Sequence, residues 1–129
     1  MDRGWRGGGI GLSLLLAACA AETGPPPDVS GRWTGQCVNC PVRAFGLELR
    51  QSGDQLSGTL QPSGRSGLGE RPMPLLNGRI TGRSVSFRVV GADGIPMEAE
   101  LRVSGDGRSL EGQGRHRAGF GLSFTRTGN

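Results

Sequence analysis

From residue 29 onward apolar and polar residues alternate with a period of two, and turn residues interrupt the alternation about every twelve positions. Phe45, Leu47 and Leu49 alternate with Gly46, Glu48 and Arg50, and Val85, Phe87 and Val89 with Ser86 and Arg88. Met97, Ala99, Leu101 and Val103 alternate with Glu98, Glu100 and Arg102, and Leu122 and Phe124 with Ser123 and Thr125. Successive side chains of a strand point to opposite faces, so each stretch reads as a strand with one buried and one wet face. An amphipathic helix needs apolar residues three and four apart, and no window of useful length supplies them. The breaks are turn chemistry: Ser52-Gly53-Asp54, Thr81-Gly82-Arg83, Ala92-Asp93-Gly94 and Ser104-Gly105-Asp106-Gly107. Gly and Asp there supply positive φ and local hydrogen bonds.

The fold class is therefore all-β. Eight strands are expected over 30–37, 43–51, 55–61, 75–81, 84–90, 97–103, 109–117 and 121–127, with 62–74 as the one sizeable loop. Such spacing fits a sandwich or a barrel. The chain holds 25 Gly in 129 residues, and several lie inside strands: Gly31, Gly35, Gly58, Gly78 and Gly112. Interior glycine weakens a flat sheet but permits the sharp coiling of a small closed barrel. Parity points several of them inward. The expectation is an up-and-down antiparallel barrel of about eight strands, with a β-sandwich as the alternative. The inward set is Trp33, Phe45, Leu47, Leu49, Leu56, Leu60, Ile80, Val85, Phe87, Val89, Met97, Leu101, Val103, Leu110, Leu122 and Phe124. It is large enough to fill such a barrel, and the inward glycines leave a small ligand cavity as the other possibility. A weak internal echo links Leu47 to Gly58 with Leu101 to Gly112: strand, Ser-Gly-Asp turn, then Leu-x-Gly on the returning strand.

Residues 1–18 read as a secretory signal, with Arg3 and Arg6 ahead of an apolar run from about Ile10 to Ala18 that is too short to span a bilayer. The run ends in Leu16-Ala17-Ala18-Cys19, which resembles the lipobox of bacterial lipoproteins. That resemblance implies that Cys19 becomes the N-terminus and carries covalent acyl chains such as palmitate, which hold the protein on the membrane. Ala20, rather than Asp, after the cysteine implies sorting to the outer membrane, facing the periplasm. Ala21 to Asp28 includes Pro25-Pro26-Pro27, a semi-rigid polyproline spacer. The domains are thus 1–18 signal peptide, 19–28 lipidated terminus and Pro-rich linker, and 29–129 barrel.

The opening Gly31-Arg32-Trp33-Thr34-Gly35 resembles the first strand of calycin-type barrels, the lipocalin and avidin-like folds, in which a Gly-x-Trp plugs one end. Asp54-Gln55-Leu56-Ser57-Gly58-Thr59-Leu60 resembles an avidin-like second hairpin. Avidin-like biotin sites use Tyr and several Trp. This chain has no Tyr, and beyond residue 18 its only Trp is Trp33. Biotin binding does not carry over.

Counted from Cys19, 13 Arg face 10 acids, too few and too dispersed for a nucleic-acid footprint. Cys37-Val38-Asn39-Cys40 leaves an even pair in an oxidising compartment, read as a structural disulfide stapling the first hairpin. A thiol redox role is less favoured, because no helix follows to lower the thiol pKa. Cys37 shares parity with Trp33, but Cys40 is out of phase with Phe45, which a bulge near Pro41-Val42 would reconcile. Zinc lacks ligands, since only His116 is at hand. His116 has no obvious Ser, Cys or Asp partner, so no catalytic residues, metal or cofactor beyond the covalent lipid on Cys19 are assigned. Glu48, Glu98, Glu100 and Glu111, with Arg32, Arg50, Arg79, Arg88, Arg102 and Arg115, fall largely on outward parity as a solvated exterior. The function expected is a non-catalytic envelope interaction or structural module meeting its partner through its exterior and the 62–74 loop. The alternative is a barrel for a small apolar ligand, lined by Trp33, Phe45, Phe87 and Phe124 with His116 at its mouth.

Overall fold

The computed structural model describes residues 25–38, 42–64 and 68–128. The regular elements among them are nine strands: β1 (Gly31–Val38), β2 (Val42–Ser52), β3 (Gln55–Gly64), β4 (Met73–Pro74), β5 (Leu76–Thr81), β6 (Ser84–Val90), β7 (Pro96–Val103), β8 (Ser109–His116) and β9 (Ala118–Gly128). All pairings are antiparallel. β1 lies between β2 and β9, and β3 pairs with β2 on one side and with β4 and β5 on the other, so the sheet closes on itself. β4 and β5 lie end to end along β3: Leu60 faces Met73, and Leu56 faces Gly78. Nine segments therefore occupy eight places, and the molecule is a closed up-and-down barrel rather than a sandwich.

The fourth place is broken for a local reason. Pro72 and Pro74 bring no N–H to a ladder. Asn77 takes a φ of 54°, and the β5–β6 register shifts between Leu76 and Arg79. The segment expected as a 62–74 loop is shorter than that, since β3 runs on to Gly64 and β4 begins at Met73. The β2–β3 register shifts between Val42 and Ala44, beside the position where the cysteine phase required a bulge.

Parity sorted the faces correctly. All sixteen residues expected inside are buried, joined by Val29, Leu68, Met73 and Ala99. The ten charged residues expected outside are exposed. Arg88 and Glu98, opposite each other on β6 and β7, form a 2.7 Å ion pair with about half of each side chain in water. Such a pair is worth well under about 1 kcal/mol.

The strand directions define two ends. At the proximal end residues 25–30 run in from the Pro-rich segment, and the turns at 53–54, 82–83 and 104–108 lie beside them. At the distal end are segment 68–72, turn 91–95 and the single-residue turn at Arg117. The N-terminal segment is pinned at the proximal end. Val29 N donates to Gln51 Oε1 at 2.8 Å, Gln51 N donates to Ser30 Oγ at 3.1 Å, and Val29 is fully buried.

Three turn aspartates hold their carboxyls below the usual value of 3.8. For Asp28 the main cause is the Ser30 N–H, for Asp93 the Ile95 N–H, and for Asp106 the Ser104 hydroxyl followed by the Arg108 N–H. A depressed folded pKa means that the unfolded chain takes up protons first as pH falls. The stability these groups add is present above the unfolded value and is lost as pH drops through the folded ones. Thermal melts should therefore fall progressively below about pH 4, and Asp93→Asn with Asp106→Asn should flatten that fall. A slope left unchanged by the double substitution would refute the assignment.

Candidate functional site

The four aromatics considered as ligand contacts all belong to the one buried core. Trp33, Phe45 and Phe124 are 1% exposed or less, and Phe87 is 3% exposed. Phe45 and Phe124 meet at a centroid distance of 6.2 Å with their planes tilted by 46°. The Phe124 ring lies where a Cβ on Gly35 would be, 2.3 Å from Cδ1, so the inward glycine is filled by an aromatic instead of leaving a void. A ligand-sized hollow would expose the side chains around it to a water-sized sphere. The twenty apolar core residues have between 0 and 5% of their surface so exposed. Among the described residues the barrel interior is packed solid.

Described residues cover both ends as well. At the proximal end Trp33 Nε1 donates to Val29 O at 3.0 Å, and the Arg126 guanidinium stacks 4.5 Å from the indole centroid. Arg126 also donates to the Ser30 carbonyl, to Asp28 O at 2.8 Å and to Gly107 O at 3.2 Å. One side chain of the last strand thus ties the first strand's entry to the β7–β8 turn. A charge stacked on indole and spread over three carbonyls is well compensated although half-buried. At the distal end Leu68 is 3% exposed, and Ala92 N donates to its carbonyl at 3.1 Å. A Cβ on Gly91 would lie 2.3 Å from that same carbonyl oxygen, so the close approach requires glycine.

The structure gives His116 the partner that sequence reasoning missed. His116 Nε2 lies 2.8 Å from Asp93 Oδ2, with 13% and 14% of the two side chains exposed. Asp93 Oδ1 accepts from Ile95 N at 3.0 Å, and Arg117 Nη2 stands 3.9 Å from Oδ2. The partners are 23 residues apart, and the turns that carry them meet only because β6–β7 and β8–β9 open at the same end. The recognisable signal was the Ala92-Asp93-Gly94 turn, which called for an aspartate but did not say what else it would bind. A carboxylate can orient an imidazole for acid–base work, but catalysis also needs a reacting group and a cleft beside them. Here the pair joins two turns. No group of three or more His, Cys, Asp or Glu side chains suited to a metal occurs among the described residues.

Cys37 sits on β1 opposite Leu122 of β9 and packs against the core. Cys40, the other half of the expected disulfide, lies outside the described residues, as do Cys19, the lipobox and the signal segment. Clefts are found on the outer surface; one of about 570 Å³ runs along the irregular β3–β5 seam, between Leu56, Asn77 and Arg79. No protein-family model matches this sequence, and no curated protein matches it.

Proposed function

We propose that this protein is a lipid-anchored, non-catalytic barrel of the bacterial envelope, calycin-like in fold, which acts through its outer surface and its loops as an interaction or structural module. The observation that carries this reading is the solid interior. With the aromatics buried in the core, Trp33 and Arg126 across the proximal end and Leu68 buried at the distal end, this reading leaves recognition to the exterior. Trp33 at the proximal end is consistent with the plugging role that the Gly-x-Trp resemblance implies. The lipobox ending in Cys19 supports acylation there, and the run of prolines supports a spacer between lipid and barrel. In this reading the protein faces the periplasm from the outer membrane, and Cys37 and Cys40 form a disulfide that staples the first hairpin.

Two measurements test the proposal. Cells fed labelled palmitate should label the wild-type chain in the membrane fraction, and Cys19→Ser should abolish both the label and the sedimentation with membranes. A Cys19→Ser chain that is still acylated overturns the anchor. Native mass spectrometry of the gently purified protein should show the acylated chain with nothing else bound. A co-purifying apolar molecule at one-to-one stoichiometry would overturn the packed-module reading in favour of a ligand barrel.

A further inference from the structure

Nine described residues have a positive φ, and seven of them are glycine. The exceptions are Asn77, at 54°, and Arg117, at 67°. Asn visits this region readily because its short amide bonds to local backbone, whereas a long, unbranched cation gains nothing of the kind. A chain that uses glycine so freely nonetheless keeps arginine at the tip of the β8–β9 hairpin, against the backbone's preference. Strain of this kind is kept where the side chain has a use. That use is not burial, since 67% of the Arg117 side chain is exposed. Nor is it a close ion pair. Asp93, 3.9 Å away, already accepts from Ile95 N and is paired with His116.

The surroundings extend the pattern. Glu98 is engaged by Arg88 at 2.7 Å, which leaves Arg115, opposite Glu98 on β8, without an acid of its own within ion-pair distance among the described residues. Pro96 lies two residues before Glu98 on β7, and Arg117 follows the end of β8 at the hairpin tip. Pro96 is exposed and faces Val90 of β6, itself 41% exposed. An exposed apolar step beside two arginines therefore occupies the distal rim, away from the end at which the chain arrives from its Pro-rich segment. Two cations beside a small apolar surface complement carboxylates carried next to an aliphatic side chain.

We propose that Arg117, with Arg115 and the Val90–Pro96 step, is a docking surface for an acidic, aliphatic segment of a partner protein. The inference rests on the interaction-module reading and names its site. The test uses the full chain as purified from cells and a labelled decapeptide of Glu and Leu. The peptide should bind in a salt-dependent manner, with amide shifts clustered at residues 88–98 and 115–118. Arg117→Gly should weaken binding by roughly fivefold or more, the equivalent of about 1 kcal/mol, while the variant melts at the same temperature or higher because glycine suits the backbone. Arg117→Lys should retain part of the binding. Three results would overturn the inference: unchanged peptide binding in Arg117→Gly; an equal loss on removing the remote Arg50; or phosphatidylglycerol vesicles, and not the peptide, showing the Arg117 dependence. The failures separate cleanly. Loss of this site leaves the acylation and native-mass results standing, whereas an unacylated or ligand-filled protein removes the module reading itself.

Discussion

Trp33→Ala is expected to cost about 3–5 kcal/mol of unfolding free energy. Total stability for a domain of this size lies around 5–15 kcal/mol. The loss should therefore appear as a large fall in the urea midpoint followed by far-UV circular dichroism, or as a chain that fails to fold at 37 °C. Three terms add at this one position. The indole is 1% exposed, so truncation leaves a cavity that a closed ring of strands is poorly able to collapse. Its Nε1 donor to Val29 O disappears, which leaves a buried carbonyl unpaired. The Arg126 guanidinium loses the ring on which it stacks and with it part of its hold on the proximal end. Trp33→Phe separates the terms. It keeps most of the apolar volume and an aromatic face for Arg126 but removes the donor, so its cost should be about 1–3 kcal/mol. If Trp33→Ala came within about 1 kcal/mol of the wild type, the proximal end would not be the keystone that its contacts describe.

Much of this fold was legible in the sequence because a half-buried strand has no freedom over which residues it turns inward. A shift of one residue would expose Phe45, Leu47 and Leu49 together, so period-two runs fix both the strand and its face. The barrel, as against the sandwich, was legible less directly, through glycines inside strands whose inward side had to be supplied by something else. What stayed hidden was whatever depended on two distant loops meeting. Asp93 and His116 are each unremarkable locally, and their pairing depends on closure of the whole sheet. Leu68 stood in what looked like an open loop, yet it is a buried core residue, held against Gly91 and Ala92. A lone leucine among glycines carries no period, and periodicity was the signal in use. Arg126 follows Leu122 and Phe124 on inward parity, yet a cation at a strand's end gave no sign that it would stack on Trp33.

The glycines also yield a graded stability series with a built-in control. Gly112 faces Leu101 across β7–β8, and a Cβ on it would lie 2.0 Å from the Glu100 carbonyl oxygen and 2.8 Å from the Leu101 Cα. Both obstacles are backbone and cannot rotate away. Gly58, facing Leu49 across β2–β3, is worse placed: a Cβ would lie 1.8 Å from Glu48 O, and its φ is 137°. Gly58 and Gly112 hold corresponding positions of the two echoed hairpins, although their facing residues, Leu49 and Leu101, are two residues apart in the echo. Gly112→Ala should cost about 3 kcal/mol, the upper range for forcing a methyl into a packed site, and Gly58→Ala more, because it adds backbone strain to the same clash. Gly53→Ala, in an open turn with a φ of 63°, should cost only about 1 kcal/mol. Gly105→Ala, with open space around it and no positive φ, should be nearly neutral or slightly stabilising, since alanine narrows the unfolded ensemble. The order of the four urea midpoints is the test. Were Gly112→Ala as mild as Gly53→Ala, the strands would be able to part at that point. The glycines would then reflect composition alone and not the geometry of a tightly coiled barrel.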